Sequence, residues 1–172
     1  MELQQKTKID NNGLIPPYGG ELKNLIIKDK KLKNDLISKV TYELECSERN
    51  ACDVELLMVG AFSPLEGFMD ENDYNSVIKN NRDANGLLFG LPIVFDLDNE
   101  EVKAGDKILL TYKKQKIAVL EVSSKWEPDK SIEAELCYGT NSLDHPAVKM
   151  ILSIKLLMSL NVAREMHAML NF

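Results

Sequence analysis

The chain has 172 residues, 44% of them hydrophobic and 28% charged, the balance of a globular domain with a sizeable core and not of a disordered chain. A formal net charge of −6, with 18 lysines against 3 arginines, argues against nucleic-acid binding, which needs clustered cations and favours arginine as the reader of phosphate and base edges. Three cysteines, with no C-x-x-C and no histidine beside them, make neither a disulfide framework nor a zinc site and point to a reduced, cytoplasmic compartment.

Residues 1–13 form a polar lead without the apolar core of a secretory signal. The turn-rich string Leu14–Gly20 (LIPPYGG) follows, since two prolines and two glycines exclude a helix or central strand. Glu21–Ile27 reads as a short strand, and Lys28–Lys33 as a solvated basic loop. Lys39–Glu45 alternates apolar and polar residues, the pattern of a half-buried strand. Ser47 then caps a helix carrying Ala51, Val54, Leu57 and Met58 on one face and stopped by Gly60. Ala61–Met69 is a loop with two buried phenylalanines, Asp70–Asn80 a second short helix, and Asn85-Gly86 a turn.

From Gly90 the period changes to two. Strands are expected over Leu91–Leu97, Lys107–Tyr112 and Lys116–Val122, joined by a Gly-Asp turn and a Lys113-Lys114-Gln115 hairpin loop, in a small antiparallel barrel or sandwich. Trp126 and Pro128 end that unit. Asp129 or Ser131 caps a short helix to Tyr138, Gly139 stops it, and His145-Pro146 opens the last helix. The Ala147–Ala163 tract is broken by Lys149, Lys155 and Asn161 and is too short to span a bilayer.

Candidate chemistry is sparse. No phosphate-binding glycine loop occurs, and His145 and His167 do not share a metal-ligand spacing. His145 at a helix entry reads as a local hydrogen-bonding residue, and His167 has no assigned role. Cys46 and Cys52 flank the start of the Ser47 helix, where a dipole favours a thiolate, but a buried cysteine acting as a small hydrophobe is commoner. Glu48, Asp53, Glu55, Glu66, Asp70, Glu71 and Asp73 stand against Arg49 alone, without calcium-loop spacing, and read as a solvated face. Lysines 28, 30, 31 and 33, and 113, 114 and 116, lack interleaved aromatics and read as solubilising. From the residues themselves the chain is an α+β domain in which no catalytic, cofactor-binding or metal-ligating residue is assigned.

Four strings occur in one order: Leu14–Gly20 (LIPPYGG), Asp53–Met69 (DVELLMVGAFSPLEGFM), Gly105–Leu110 (GDKILL) and Tyr138–Val148 (YGTNSLDHPAV). Together they resemble the N-terminal region of ATP sulfurylase (sulfate adenylyltransferase), in wording closest to cyanobacterial members, over about Leu14–Met150. The resemblance implies a PUA-like, β-barrel-type domain with short helices over 14–150, which in that family precedes a Rossmann-like catalytic domain. It implies the nucleotidyltransferase reaction of sulfate assimilation, ATP and sulfate giving adenosine 5′-phosphosulfate and pyrophosphate, and usually a homo-oligomer.

The family's Q-x-R-N-P, H-x-x-H and G-R-D-H-A-G segments do not occur here, so no catalytic or nucleotide-binding residue is carried over. ATP and Mg²⁺ are implied only for the catalytic domain that this chain lacks, and the chain alone is expected to be inactive. Residues 151–172 depart from the family pattern and read as a Met/Leu-rich helical tail left by truncation, frameshift or replacement. Leu152, Leu156, Leu160, Ala163 and Leu170 of that tail are expected to fold back over the domain or to promote self-association. A catalytic ATP-sulfurylase domain is the other expected partner, with no membrane. The alternatives are a stand-alone PUA-like module for RNA or protein, and the structural subunit of a split enzyme.

Overall fold

The computed structural model describes residues 13–97, 99–153, 156–159 and 167–168. In chain order these form α1 (Lys30–Ser38), β1 (Tyr42–Glu45), α2 (Glu48–Met58), α3 (Glu71–Asn80), β2 (Phe95–Leu97), β3 (Lys107–Tyr112), β4 (Gln115–Glu121), β5 (Ser124–Trp126), α4 (Lys130–Tyr138), α5 (Pro146–Leu152), β6 (Leu156–Ser159) and β7 (His167–Ala168). The strands make one sheet in the order β1-β3-β4-β7 and a second in the order β2-β6-β5.

Strand β3 organises the core because both of its faces are covered. Successive side chains of a strand point to opposite faces. Ile108 and Leu110 turn toward Val54, Leu57 and Met58 of α2, joined by Leu120 of β4 and by Phe68 and Phe95. Those two phenylalanine rings meet edge-on, 5.3 Å between centroids. Leu109 turns the other way and packs with Val119, Ile37 and Val40 beside α1. A strand buried on two sides reads as an unbroken apolar run, which is what Ile108-Leu109-Leu110 is.

The local stop and start signals act as expected. Ser47 Oγ accepts from Asn50 N, Asp70 from Asp73 N, and Asp129 from Ser131 N and Ile132 N. Each capping oxygen satisfies first-turn N–H groups that have no partner inside the helix. Gly139 closes α4 at φ 68°, a left-handed conformation that costs glycine nothing. Pro146 opens α5, where its missing N–H is not needed.

Several expectations are corrected. Lys28–Lys33 is not a loop throughout: Asp29 caps α1, and Leu32, Leu36 and Ile37 recur at helical spacing under the lysines. Residues 21–27 form no strand and are tied down by single bonds, such as Leu25 N to Met58 O at 2.9 Å. The strand expected over Leu91–Leu97 shrinks to Phe95–Leu97, and Ser124–Trp126 is a further strand. The main sheet is mixed, because β1 runs parallel to β3 with Tyr42 opposite Ile108.

The tail also differs from a continuous helix. Helix α5 stops at Leu152 with Ser153 as its cap. Leu156–Ser159 then pairs antiparallel with both β2 and β5, and His167–Ala168 with β4. β6 is the middle strand of its sheet and β7 extends the edge of the other, so these residues find their backbone partners in remote strands. Leu152 packs inward against Ala134, Val148 and Ile151. The expected positions Leu160, Ala163 and Leu170, like residues 1–12 of the polar lead, lie outside the described residues.

Candidate functional site

Two arrangements bring distant residues together. The first lies between α3 and α4. Tyr74, 2% exposed, donates from its hydroxyl to Glu133 Oε2 at 2.7 Å. Lys130 Nζ donates to the same oxygen, also at 2.7 Å, and sits 5.8 Å from the centroid of the Tyr74 ring. The Lys130 and Glu133 side chains are 10% and 6% exposed, so this is a buried ion pair.

Burial pulls the Lys130 ammonium below its ordinary value, against the opposing pull of Glu133. It pushes the Tyr74 phenol up, with the neighbouring Glu133 charge adding to the effect. Arg49 of α2 pairs with Asp96 of β2 nearby, and Asp53 is raised chiefly by burial. Paired buried charges hold a structure in register at a desolvation cost. The cluster's three side chains are bonded to one another and nearly closed to solvent.

The second arrangement is the meeting of two of the recognisable strings. Gly19 lies so close to Pro64 that an added Cβ would stand 2.7 Å from the proline ring, which explains a glycine at φ 74° in that position. The Ser63-Pro64 peptide is cis. Lys23 N donates to Ser63 Oγ at 3.0 Å, and Lys23 Nζ pairs with Glu66 at 2.7 Å. Tyr18 reaches the 82–91 loop, donating to Leu88 O at 2.9 Å and meeting the Phe89 ring edge-on.

Beside this junction is a concavity of about 240 Å³ bordered by Pro64, Glu66, Asp70, Asp73, Asp83 and Asn85. Its aspartates are already engaged with the protein's own backbone, and Glu66 with Lys23. Asp70 caps α3, Asp73 accepts from Ala84 N, and Asp83 accepts from Asn85 N and Leu87 N. These bonds build the loop rather than a ligand cradle.

The other candidates stay apart. His145 Nδ1 accepts from Val148 N at 3.4 Å and its ring packs on Tyr138, so it is the local cap that its place before Pro146 suggests. His167 lies in β7. Burial pushes the Cys46 thiol up to about 12, so it is a small hydrophobe in the core and not a thiolate; Cys52 is exposed. Lys113 and Lys114 form the hairpin tip at φ 49° and 65°, with Lys113 Nζ over the Tyr112 ring. Among the described residues no group of three histidine, cysteine, aspartate or glutamate side chains is placed to hold a metal ion. No helix among them is long and apolar enough to cross a membrane.

The family model described as a PUA-like domain matches residues 15–159, which spans both sheets as far as β6. The chain belongs to the PUA-like domain family. Over 145 residues it is 43% identical to the sulfate adenylyltransferase of Neurospora crassa, covering 79% of this chain and 25% of that protein. The sulfate adenylyltransferase of Phaeosphaeria nodorum is 41% identical over 78% of this chain and 25% of its own. That of Candida albicans is 38% identical, with coverages of 79% and 28%. This PUA-like chain thus spans about a quarter of the length of the curated relatives it matches. Among solved structures, one titled hexameric APS kinase from Thiobacillus denitrificans superposes with a TM-score of 0.63 at 24% identity, over 90% of this chain and 27% of that one. At that identity the likeness bears on the fold alone.

The Tyr74–Glu133–Lys130 cluster was not legible in the sequence. Tyr74 is 59 residues from Glu133, and no member belongs to a motif with a local signature. The Gly19–Pro64 contact has a weak signal in hindsight, since a glycine pair and a proline turn each suggest a close approach of backbone.

Proposed function

We propose that this chain is the N-terminal, non-catalytic PUA-like domain of a sulfate adenylyltransferase and transfers no adenylyl group by itself. The observation that carries this reading is the match to sulfate adenylyltransferases at 38–43% identity over only about a quarter of their length. The buried charges support it, because they are locked to one another and do not line a cleft. In this reading the domain is a platform, cytoplasmic, for the catalytic remainder of the enzyme or for a further copy of the chain. Adenylyl transfer needs donors positioned at the phosphoryl centre, and those would come from that remainder.

The test is sulfate-dependent pyrophosphate release. The purified chain is expected to give none above background. Supplied with the remaining three-quarters of the Neurospora enzyme as a separate polypeptide, it is expected to bind and to raise that fragment's turnover. Turnover by the chain alone would overturn the reading, as would indifference of the fragment to its presence.

A further inference from the structure

The path of the chain between β5 and β6 has the layout of a hinged lobe. Ser124 and Trp126 of β5 lie opposite Ser159 and Leu157 of β6 in one antiparallel ladder. All of α4 and α5 is therefore an excursion between two neighbouring strands. Both ends of the excursion are fixed by the same ladder. The lobe leaves it through Glu127 and Pro128, and α5 ends at Leu152, with Ser153 as its cap, before the return.

The lobe has an interior of its own. Ala134, Val148 and Ile151, with Tyr138 and Leu152, form an apolar cluster separate from the other cores. Across the seam to the body, Cys137 packs on the cluster that holds Tyr74, Val77 and Trp126. The polar part of that seam is Tyr74 and Lys130 converging on Glu133 Oε2. Asp129, Arg49 and Asp96 supply the remaining charges that act on it. A lobe that keeps its apolar contacts when it moves loses only the seam, so it opens for less than the free energy of global unfolding.

One further atom bears on the balance. Trp126 Nε1 is buried without a hydrogen-bond partner. A buried donor left unpaired destabilises the closed state, and opening lets water satisfy it.

We propose that α4–α5 is a hinged lobe that swings off α3 as a unit, pivoting at Glu127-Pro128 and Ser153, with the Tyr74–Glu133–Lys130 contact as its latch and Trp126 beneath it.

Trp126 is the only tryptophan, so its indole N–H gives a single exchange signal by NMR on the full chain. Tyr74→Phe removes one bond to a charged carboxylate and is expected to raise indole exchange by about tenfold or more. Glu133→Gln leaves an acceptor for Tyr74 but breaks the ion pair, and it should shift the rate in the same direction. The amides of Ile108 and Leu110, in the main core, open only on global unfolding and should stay slower than the indole in the wild-type chain and in both latch variants, as should those of Ala134 and Tyr138 within the lobe. Leu120→Ala provides the converse, faster core amides with the indole unmoved. An indole rate unchanged in both latch variants overturns the proposal. So does an indole that exchanges no faster than Ile108 and Leu110 in the wild-type chain and in the variants. Loss of protection at Ala134 and Tyr138 together with the indole means that the lobe melts and does not hinge, which also overturns it.

Discussion

Tyr74 of α3 and Glu133 of α4 meet through a 2.7 Å hydrogen bond across 59 residues of sequence, and both are buried. Replacing the phenol by phenylalanine keeps the ring packing on Trp126 and deletes only that bond. Tyr74→Phe is expected to lower stability by about 2 kcal/mol, as for a hydrogen bond to a charged group. Glu133→Ala should cost more, about 3–5 kcal/mol, because Lys130 is left buried and unpaired. Urea unfolding of the two variants checks the order, and equal losses would show that the ion pair adds nothing.

The β3–β4 hairpin turns through Lys113 and Lys114, two side-chain-bearing residues in the left-handed region. That geometry suits Asn-Gly, and each non-glycine residue held there stores strain. Lys113→Asn with Lys114→Gly is expected to raise stability by about 1 kcal/mol, read as a higher urea midpoint with an unchanged slope. The turn's backbone also holds the Glu45 carboxylate below its ordinary value, after the larger effect of the Thr111 hydroxyl. Glu45 therefore favours the fold above the unfolded carboxylate's pKa, and that contribution fades as pH falls through the lower folded value. Thr111→Val should flatten this part of the acid limb.

Gly60 has φ 81°, and a Cβ there would lie 2.9 Å from the Lys23 carbonyl oxygen. Backbone cannot move aside as a flexible side chain can. Gly60→Ala is expected to cost about 1–3 kcal/mol from the conformation alone, and more from the clash. Gly90 meets nothing within 4 Å of such an added atom, so Gly90→Ala is the matched control for thermal unfolding.

Cysteine chemistry gives a pH-dependent test. The Cys46 thiol is pushed from 9.0 to about 12 by burial, with Glu45 and Asp96 adding to it. A raised value means that the folded state holds the proton while the unfolded state releases it. The contribution is then complete below pH 9 and declines from there up to about 12. Alkylation at pH 8 followed by mass mapping should modify exposed Cys52 first and Cys46 last. Early modification of Cys46 would contradict its burial.

Legibility in the sequence follows the range of the interaction. Ser47, Asp70, Asp129, Gly139 and His145-Pro146 were readable because a cap and its helix lie within four residues of each other. Helix α1 was obscured by its lysines, although Asp29 and the Leu32–Leu36 spacing were there to be read. Strand β5 has three residues, too few for alternation to show. The pairing of β6 with β2 and β5, the Gly19–Pro64 contact and the Tyr74 cluster all depend on chain reversals between remote segments. Periodicity carries no record of those. The family resemblance did reach across them, since four separated strings keep their order and two of them, Ala61–Met69 and Tyr138–Val148, are specific by themselves.

The parallel pairing of β1 with β3 sets an order of events during synthesis. Thr41 and Lys107, bonded at the mouth of that pair, are 66 residues apart. At about 5–20 residues per second, the ribosome delivers the partner strand several seconds after β1 has emerged. Over that interval Tyr42 and Leu44 have no ladder to join, and α2 has no sheet to cover. The nascent chain thus carries an unpaired strand and a naked apolar helix face until the β3–β4 hairpin clears the exit tunnel, the window in which a chaperone would find most to hold.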